Sequence, residues 1–211
     1  FTPFPYEILQ LNGDWKDYLP VKEYQSGKLE SYACVSFTIL NCAEIIIKRK
    51  YGIETNWSER FLATISGTKE GGNSPRTVCD YLRKQGVVPQ EIWPFDDSID
   101  TFDKFYAEIP ADIKEIAKEF NEEWDFGYDM VPNYEEEISM ALKTSPLLIS
   151  VSAWFENEKG RYYRPQGITD NHATTMIAER PGEYRQVFDS YEPVIKDVEW
   201  DAVPMQIVRF H

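Results

Sequence analysis

Apolar residues recur at helical spacing along the first half of the chain. This pattern predicts a long, mostly buried helix over residues 34–50, and Gly52 marks its end. Ser74 followed by Pro75 is typical of a helix N-cap and a first helical residue, and Gly86 closes that second helix. The first half of the chain is therefore predicted to be mainly helical.

The second half of the chain has a different pattern, in which short apolar runs alternate with small or polar residues. Helices are predicted over residues 111–121 and 134–144, and strands over 147–154, 172–178 and 184–188. A helical region followed by a strand-rich region indicates an α+β fold with a cleft between two lobes. The first 20 residues are rich in proline and aromatic residues and are expected to be irregular.

The composition limits the class of protein. A length of 211 residues with 42% hydrophobic residues suits a single domain over residues 1–211, with a mainly helical lobe at about 12–105 and a β-rich lobe at about 106–211. The net charge of −14 argues against nucleic acid or an anionic membrane as a partner, because both need clustered Lys and Arg. No apolar run reaches the roughly 18–20 residues of a membrane-spanning helix. We therefore expect a soluble monomer, whose compartment the sequence leaves open.

The three cysteines do not form the disulfide framework of a small secreted protein. Cys34 and Cys42 lie on one predicted helix, too far apart to bridge. We interpret Cys42 and Cys79 as buried apolar residues, so the chain is expected to tolerate a reducing compartment. It begins at Phe1 rather than at Met, and we expect it to be a processed product or part of a longer protein.

Cys34 and His172 are the main candidates for chemistry. The chain has two histidines, and because His211 is the last residue, a thiolate reaction would use His172 as its base. Cys34 is predicted to open a helix, where unpaired backbone amides and the helix dipole favour a thiolate. His172 follows Cys34 by 138 residues, within the spacing of about 130–150 residues that is known for papain and the cathepsins.

Asp189 is the expected partner of His172. If the predicted hairpin pairs Arg180 with Glu183, Asp189 shares a sheet face with His172 and becomes its diagonal neighbour. A register shift of one residue would place the two side chains on opposite faces. Asp170 is the alternative partner, and it lies close to His172 in a predicted loop.

These residue types support acyl transfer through a thioester. The Cys34 thiolate would attack an acyl carbon, and the His172 imidazolium would protonate the leaving amine. The neutral imidazole would then activate water for deacylation. Asp189 would accept a hydrogen bond from the other ring nitrogen and fix the orientation of the ring.

The chain resembles the papain-like (C1-type) cysteine peptidases in these residues and in several further motifs. The matching segments, in the family's order, are Gly13-Asp14-Trp15, Pro20-Val21-Lys22, Ala33-Cys34-Val35-Ser36-Phe37, Gly71-Gly72-Asn73-Ser74-Pro75, Gly86-Val87-Val88, Trp93-Pro94-Phe95 and Asn171-His172-Ala173. Each segment is short, but their joint order and spacing are specific and span roughly residues 11–200.

The resemblance implies a cysteine protease of the papain-like fold that hydrolyses peptide bonds in peptide or protein substrates. Gln25 and the backbone amide of Cys34 would form the oxyanion hole, and Gly71 and Gly72 would bind an extended peptide through their backbone. The residues implied near the main specificity pocket are Ser150, Ser152 and Asn171. No cofactor is expected, and no metal, because the cysteines and histidines match no standard ligand spacing. A propeptide or a protein inhibitor would be further partners.

The sequence also departs from the family pattern. The spacing of nine residues from Gln25 to Cys34 is longer than usual, and Val35 replaces a tryptophan. Asp189 stands where the family has asparagine, and the segment after it, which includes Tyr191, lacks a tryptophan that shields the catalytic residues. These departures and the absence of the family's disulfides indicate a divergent, microbial or phage-type member.

Two alternatives keep the fold but change the function. The first is an acyl or amide transferase of the transglutaminase-like type, which also uses Cys, His and Asp. The second is a catalytically silent binding domain, which the altered segment after Asp189 would suit. Retention of Gln25, Cys34, His172 and Asp189 together argues against the silent domain, because such a domain has no physical need for that set.

Overall fold

A computed structural model describes residues 6–211 of the chain. Residues 1–5, which belong to the segment expected to be irregular, lie outside the described residues. The remainder of that segment has a short 3-10 helix at Lys16–Tyr18 and otherwise no helix or strand. Trp15 anchors it, because this side chain is fully buried and its indole Nε1 donates to the Leu142 carbonyl at 2.8 Å.

The helices concentrate before residue 143. They are α1 (Cys34–Tyr51), α2 (Glu59–Ile65), α3 (Pro75–Gln85), α4 (Phe102–Phe105), α5 (Ala111–Ile116), α6 (Lys118–Glu123) and α7 (Glu135–Leu142). The helix predicted over 111–121 is thus divided into α5 and α6, with Ala117 between them.

Capping residues set the ends of the first helices. Helix α1 ends at Gly52, whose φ of +69° is left-handed and whose N–H donates to Lys48 O at 2.9 Å. The Ser74 hydroxyl accepts the Thr77 N–H at the start of α3. Gly86 ends α3 with a φ of +72°, and a Cβ there would lie 1.8 Å from the Ala117 carbonyl oxygen, so only glycine fits.

One mixed sheet holds all the strands of the described residues. They are β1 (Tyr128–Met130), β2 (Leu147–Val151), β3 (Phe155–Glu156), β4 (Tyr162–Tyr163), β5 (His172–Arg180), β6 (Tyr184–Phe188), β7 (Ile195–Glu199) and β8 (Ile207–Phe210). Their order is β1-β8-β2-β5-β6-β7-β4-β3. Strand β4 runs parallel to β7, and the other pairs are antiparallel. The predicted α+β class is confirmed.

The hairpin of β5 and β6 contains an irregularity that the sequence analysis did not foresee. At the turn, Arg180 pairs with Tyr184, so the predicted pairing with Glu183 is wrong by one residue. The register then shifts between Met176 and Ala178, and beyond this bulge Thr175 pairs with Phe188. The bulge compensates for the different turn. The pairing beyond it is therefore the register that the prediction for Asp189 and His172 assumed.

Helix α1 packs across the sheet and is the centre of the fold. Ile39 and Leu40 on α1 belong to one buried cluster with residues of α2, α3 and α6, and Ile45 belongs to a second cluster with β2 and β5. Cys42 and Cys79 are fully buried, and all three cysteines are free thiols. Within residues 6–211, no helix combines the length and the apolar character needed to span a membrane.

Candidate active site

Cys34 is the first residue of α1 and lines an open cavity of about 890 Å³. The preceding Ala33 carbonyl accepts the N–H groups of Ser36 and Phe37, at 2.8 and 3.2 Å, which starts the helix. The Cys34 side chain points towards the cleft and is only 9% exposed. A helix start places backbone amides around the sulfur, an arrangement that stabilises negative charge there.

His172 lies at the start of β5 and faces Asp189, the residue that follows β6. The His172 Nε2 and Asp189 Oδ1 atoms are 2.6 Å apart, and both side chains are buried. Because Nε2 is engaged by the carboxylate, the Nδ1 atom is left for the Cys34 thiol, which lines the same cleft. The two strands and α1 therefore bring Cys34, His172 and Asp189 together.

The electrostatics of this group favour a charged imidazole. Burial by itself lowers the pKa of His172, but the hydrogen bonds to Asp189 and Cys34 and the charges of both partners raise the pKa to about 9. Burial by itself would raise the pKa of Asp189, yet its bonds to His172 and Lys196 hold that pKa below the ordinary value. The arrangement favours an imidazolium held beside the Asp189 carboxylate.

Asp170, the alternative partner of His172, is engaged elsewhere. Its carboxylate accepts the Ser150 hydroxyl at 2.5 Å and the Met205 N–H at 2.8 Å, and it forms an ion pair with Arg164 at 2.5 Å. These contacts form one wall of the cleft. The structure thus brings Asp189, and not Asp170, to His172.

Lys196 is a residue of the site that the sequence analysis missed. Its ammonium lies 2.7 Å from Asp189 Oδ2 and also donates to the carbonyls of Tyr191 and Pro193, both at 2.6 Å. It is 2% exposed, and its three donors are all used. The alternation of side chains along β7 could have suggested it. Val194, Lys196 and Val198 share one face of the strand, and a lysine on a buried face breaks its apolar pattern.

Two aromatic rings enclose His172. Tyr191 packs at 5.3 Å and Trp154 packs edge-on at 5.6 Å between ring centroids. Trp154 also lies 4.9 Å from the Lys196 ammonium. Trp154 reaches His172 from the loop after β2, a contact that no local motif reveals.

Gln25 lies beside the cleft, buried and fully hydrogen-bonded. Its Nε2 donates to Glu30 Oε1 at 2.8 Å and to the Tyr191 hydroxyl oxygen at 2.7 Å, while its Oε1 accepts the Ser190 hydroxyl at 2.7 Å. Both amide hydrogens are thus engaged rather than free to meet an oxyanion. Glu30 belongs to the unusually long segment between Gln25 and Cys34, and the sequence analysis gave it no role.

The other predicted binding residues line the cavity around Cys34. Gly71 and Gly72 have φ of +92° and +90° and form one rim. Ser150 and Asn171 lie on the facing wall, where the Asn171 Oδ1 accepts the Ala153 N–H at 2.9 Å. Ser152 is instead buried behind this wall, with its hydroxyl 3.4 Å from Thr169 O.

Gln25, Glu30 and Tyr191 are hydrogen-bonded to one another and form one end of the cleft. Among residues 6–211, no group of three or more His, Cys, Asp or Glu side chains is placed to hold a metal ion.

Comparisons with known proteins identify the fold. Bromelain from Ananas comosus, in complex with E-64, is 21% identical with a TM-score of 0.70, and the match covers 93% of this chain and 96% of bromelain. A Carica candamarcensis cysteine protease in complex with E-64 is 17% identical with a TM-score of 0.69, over 93% of this chain and 95% of that one. Digestive procathepsin L 3 from Tenebrio molitor larval midgut is 13% identical with a TM-score of 0.65, over 97% and 74% of the two chains.

These similarities are of structure rather than of sequence. No protein-family model matches the chain, and no curated protein sequence matches it. The identities are all too low to carry an activity across, but the similarity extends over nearly the whole chain. The chain has the papain-like fold.

Proposed function

We propose that the chain is a cysteine peptidase that hydrolyses peptide bonds through a thioester on Cys34. The observation that carries this proposal is the 2.6 Å contact of His172 Nε2 with Asp189, which leaves the other imidazole nitrogen for a cysteine at a helix start. The pKa of His172, raised to about 9, supports an imidazolium at neutral pH. The papain-like fold adds support because its neighbours are proteases.

The proposed reaction has two steps. In the first, the Cys34 sulfur forms a bond to the carbonyl carbon of the substrate, the C–N bond breaks, and the leaving amine takes a proton from His172. In the second, water gives a proton to His172 and its oxygen attacks the thioester carbon. The C–S bond breaks, which releases the acid product and restores the Cys34 thiolate. Asp189 holds the imidazole in position throughout.

Gln25 is proposed as an oxyanion-hole donor, with the backbone N–H of Cys34 as the second. This role requires an amide hydrogen of Gln25 to leave Glu30 or Tyr191 when substrate is bound. Gly71 and Gly72 are proposed to pair with the backbone of the substrate, and Ser150 and Asn171 to contact its side chains. Their positions along the cavity support these roles.

We propose further that residues 1–211 form one papain-like domain, with lobes at about 12–105 and 106–211, that acts as a monomer. The burial of Trp15 and its bond to Leu142 support a single unit, because they tie the start of the chain to its second half. Peptides or proteins would be the substrates. An epoxysuccinyl inhibitor, a propeptide or a protein inhibitor would occupy the same cleft.

The test is the intact mass of the protein after incubation with E-64 at neutral pH. We expect one adduct on the parent protein and none on Cys34→Ala, while Cys42→Ala should react like the parent because Cys42 is fully buried. Peptide cleavage by the parent and not by Cys34→Ala would complete the proof. The absence of both adduct and cleavage would overturn the proposal and favour a binding domain.

A transferase would react with E-64 in the same way and needs a separate assay. The Asp189 carboxylate is the observation that favours this second function, because transglutaminase-like enzymes also use a Cys, His and Asp group. Incubation of a cleavable peptide with an added primary amine separates the two. A peptidase is expected to yield mainly the free acid, and a transferase mainly the amide of the added amine.

A further inference from the structure

Glu30 places a carboxylate without a cationic partner at one end of the cleft. Its hydrogen-bond donors are all neutral: the Gln25 amide at 2.8 Å, the Tyr32 N–H at 3.0 Å and the Tyr191 hydroxyl at 2.5 Å. In the described part of the chain Glu30 forms no salt bridge, and no lysine or arginine lines the cleft. Its negative charge is therefore available to a ligand.

A second carboxylate lies at the same end. Glu192 also lines the cleft, is exposed, and accepts the Tyr24 hydroxyl at 2.5 Å. Asp170, which also lines the cleft, is already paired with Arg164. Glu30 and Glu192 therefore place two carboxylates beside Tyr191, and carboxylates gathered in a concave site attract positive charge.

The bonds of Glu30 also restrain Gln25. Because both Gln25 amide hydrogens are engaged, a negatively charged carbonyl oxygen would meet no free donor from this side chain. The nearby carboxylate would in addition repel that oxygen. A cation that binds Glu30 would remove both obstacles, since it neutralises the charge and competes for the oxygen that holds the Gln25 amide.

The orientation of the reaction decides which part of a substrate meets Glu30. The leaving amine must lie against His172, which donates its proton. Tyr191 packs against the His172 ring at 5.3 Å and donates to Glu30. The residues that follow the cleaved bond must therefore pass the end of the cleft that holds Gln25, Glu30 and Tyr191.

We propose that Glu30 selects substrates with a lysine or arginine shortly after the cleaved bond, and that this cation releases Gln25 to the oxyanion. This inference rests on the proposed peptidase function. An ion pair formed in a partly buried cleft is stronger than one at the open surface. Because the released donor acts on the transition state, the preference should appear in kcat as well as in KM.

The experiment compares cleavage of synthetic peptides by the parent protein, Glu30→Gln and Glu137→Gln. Cleavage sites are first mapped by mass spectrometry in a library of synthetic peptides of diverse sequence. One cleaved peptide is then made in two forms, with lysine or glutamine at the position where basic residues are enriched. Glu137 is exposed on α7 and does not line the cleft, so its variant controls for the loss of one negative charge.

We expect the parent and Glu137→Gln to cleave the lysine peptide with a kcat/KM about tenfold higher than the glutamine peptide, a factor that corresponds to about 1.4 kcal/mol. In Glu30→Gln this ratio should fall close to one, and added salt should reduce it in the parent. Thermal unfolding and the E-64 adduct establish that Glu30→Gln is folded, and Glu30→Ala serves as a second variant.

Two results would overturn the inference while the peptidase proposal stands: no enrichment of basic residues after the cleaved bond, or the same ratio in the parent and in both Glu30 variants. If the parent cleaves no peptide and Cys34 forms no adduct, the peptidase proposal fails and this inference fails with it. The E-64 adduct on Cys34 thus separates the two failures.

Discussion

Lys196 Nζ and Asp189 Oδ2 lie 2.7 Å apart, and this buried ion pair stands directly behind His172. The second Asp189 oxygen bonds the imidazole at 2.6 Å. The lysine offsets the charge of the carboxylate, so the pair is neutral overall, as the asparagine of the papain-like proteases is. We therefore predict that this ion-paired carboxylate orients His172 as a neutral amide would.

Separating this pair should be costly. Lys196→Met leaves Asp189 buried without its cation and is expected to lower the free energy of unfolding by about 3–5 kcal/mol, the usual cost of breaking a buried ion pair. It should also raise the pKa of His172, because the uncompensated carboxylate then favours the imidazolium. Denaturant unfolding and the pH dependence of kcat/KM measure the two effects.

The double variant Asp189→Asn with Lys196→Met tests compensation between the two residues. The introduced amide could accept the same bond from His172, and no buried carboxylate without its cation would remain. We expect the double variant to be more stable than Lys196→Met alone, with a coupling free energy within about 0.5–3 kcal/mol. Simple addition of the two single losses would show that Lys196 acts independently of Asp189.

The pKa of His172 predicts where activity ends at high pH. Because the pKa is raised to about 9, the imidazolium that protonates the leaving amine is lost as pH rises through about 9. The stability that this charged form adds is fully present below the unfolded pKa of about 6.5 and disappears over the same range. The alkaline limb of kcat/KM should lie near pH 9 in the parent.

Asp189→Asn provides the control for this pH profile. It removes the charge that holds the His172 proton, so the alkaline limb should move to lower pH. Lys143→Gln, which changes one charge outside the cleft lining, should leave the limb in place. An alkaline limb near pH 6.5 in the parent would contradict a thiolate–imidazolium pair.

Local signals were sufficient to predict the longer helices and three of the eight strands in residues 6–211. Ser74, Pro75 and Gly86 act within one helix, and their roles follow from backbone chemistry alone. The hairpin is a different case. The predicted turn pairing of Arg180 was wrong, but the bulge near Ile177 restored the expected register further along the strands.

The missed parts of the site depend on contacts of different range. Lys196 meets Asp189 between the adjacent strands β6 and β7, seven residues away along the chain, whereas Trp154 reaches His172 from another loop. Glu30 sits in a segment whose length departs from the family, so the resemblance provided no role for it. Such contacts are set by tertiary packing, which a linear pattern of residue types does not encode.

Trp154 is expected to protect the bond between His172 and Asp189 from water. Trp154→Ala should lower kcat/KM by about tenfold, equivalent to about 1.4 kcal/mol, because water can then compete for that bond. It should also lower stability, since the ring lies 4.9 Å from the buried Lys196 ammonium. Kinetics and thermal unfolding measure the two changes.

Trp154→Phe keeps an aromatic ring at the same place and should retain most of the activity and stability. If Trp154→Ala and Trp154→Phe lose activity equally, the indole itself and not the exclusion of water is required. If neither variant changes kcat/KM, Tyr191 alone shields His172. The two ring centroids are 5.3 Å apart.

Three carboxyl groups near the start of α2 predict how stability depends on pH. Glu59 is buried, and burial together with the charges of Glu23 and Glu44 raises its pKa well above the ordinary value. Burial likewise raises the pKa of Glu44, whose carboxylate accepts the Trp57 N–H at 2.8 Å. Glu59 and Glu44 therefore favour their protonated forms at pH values where an exposed carboxyl group is ionised.

The sign of the effect follows from these raised pKa values. A carboxyl group whose folded pKa exceeds its unfolded pKa adds stability that is present below the unfolded value, about 4.3, and lost as pH rises through the folded value. Glu59→Gln replaces the buried carboxyl group with an amide that does not ionise. We expect little change in acid and a gain at alkaline pH of about 1 kcal/mol, seen as a rise in Tm of about 2–4 °C. Glu137→Gln, an exposed charge change, should leave the pH dependence of Tm unaltered. Equal destabilisation of Glu59→Gln at both pH extremes would contradict a raised pKa at Glu59.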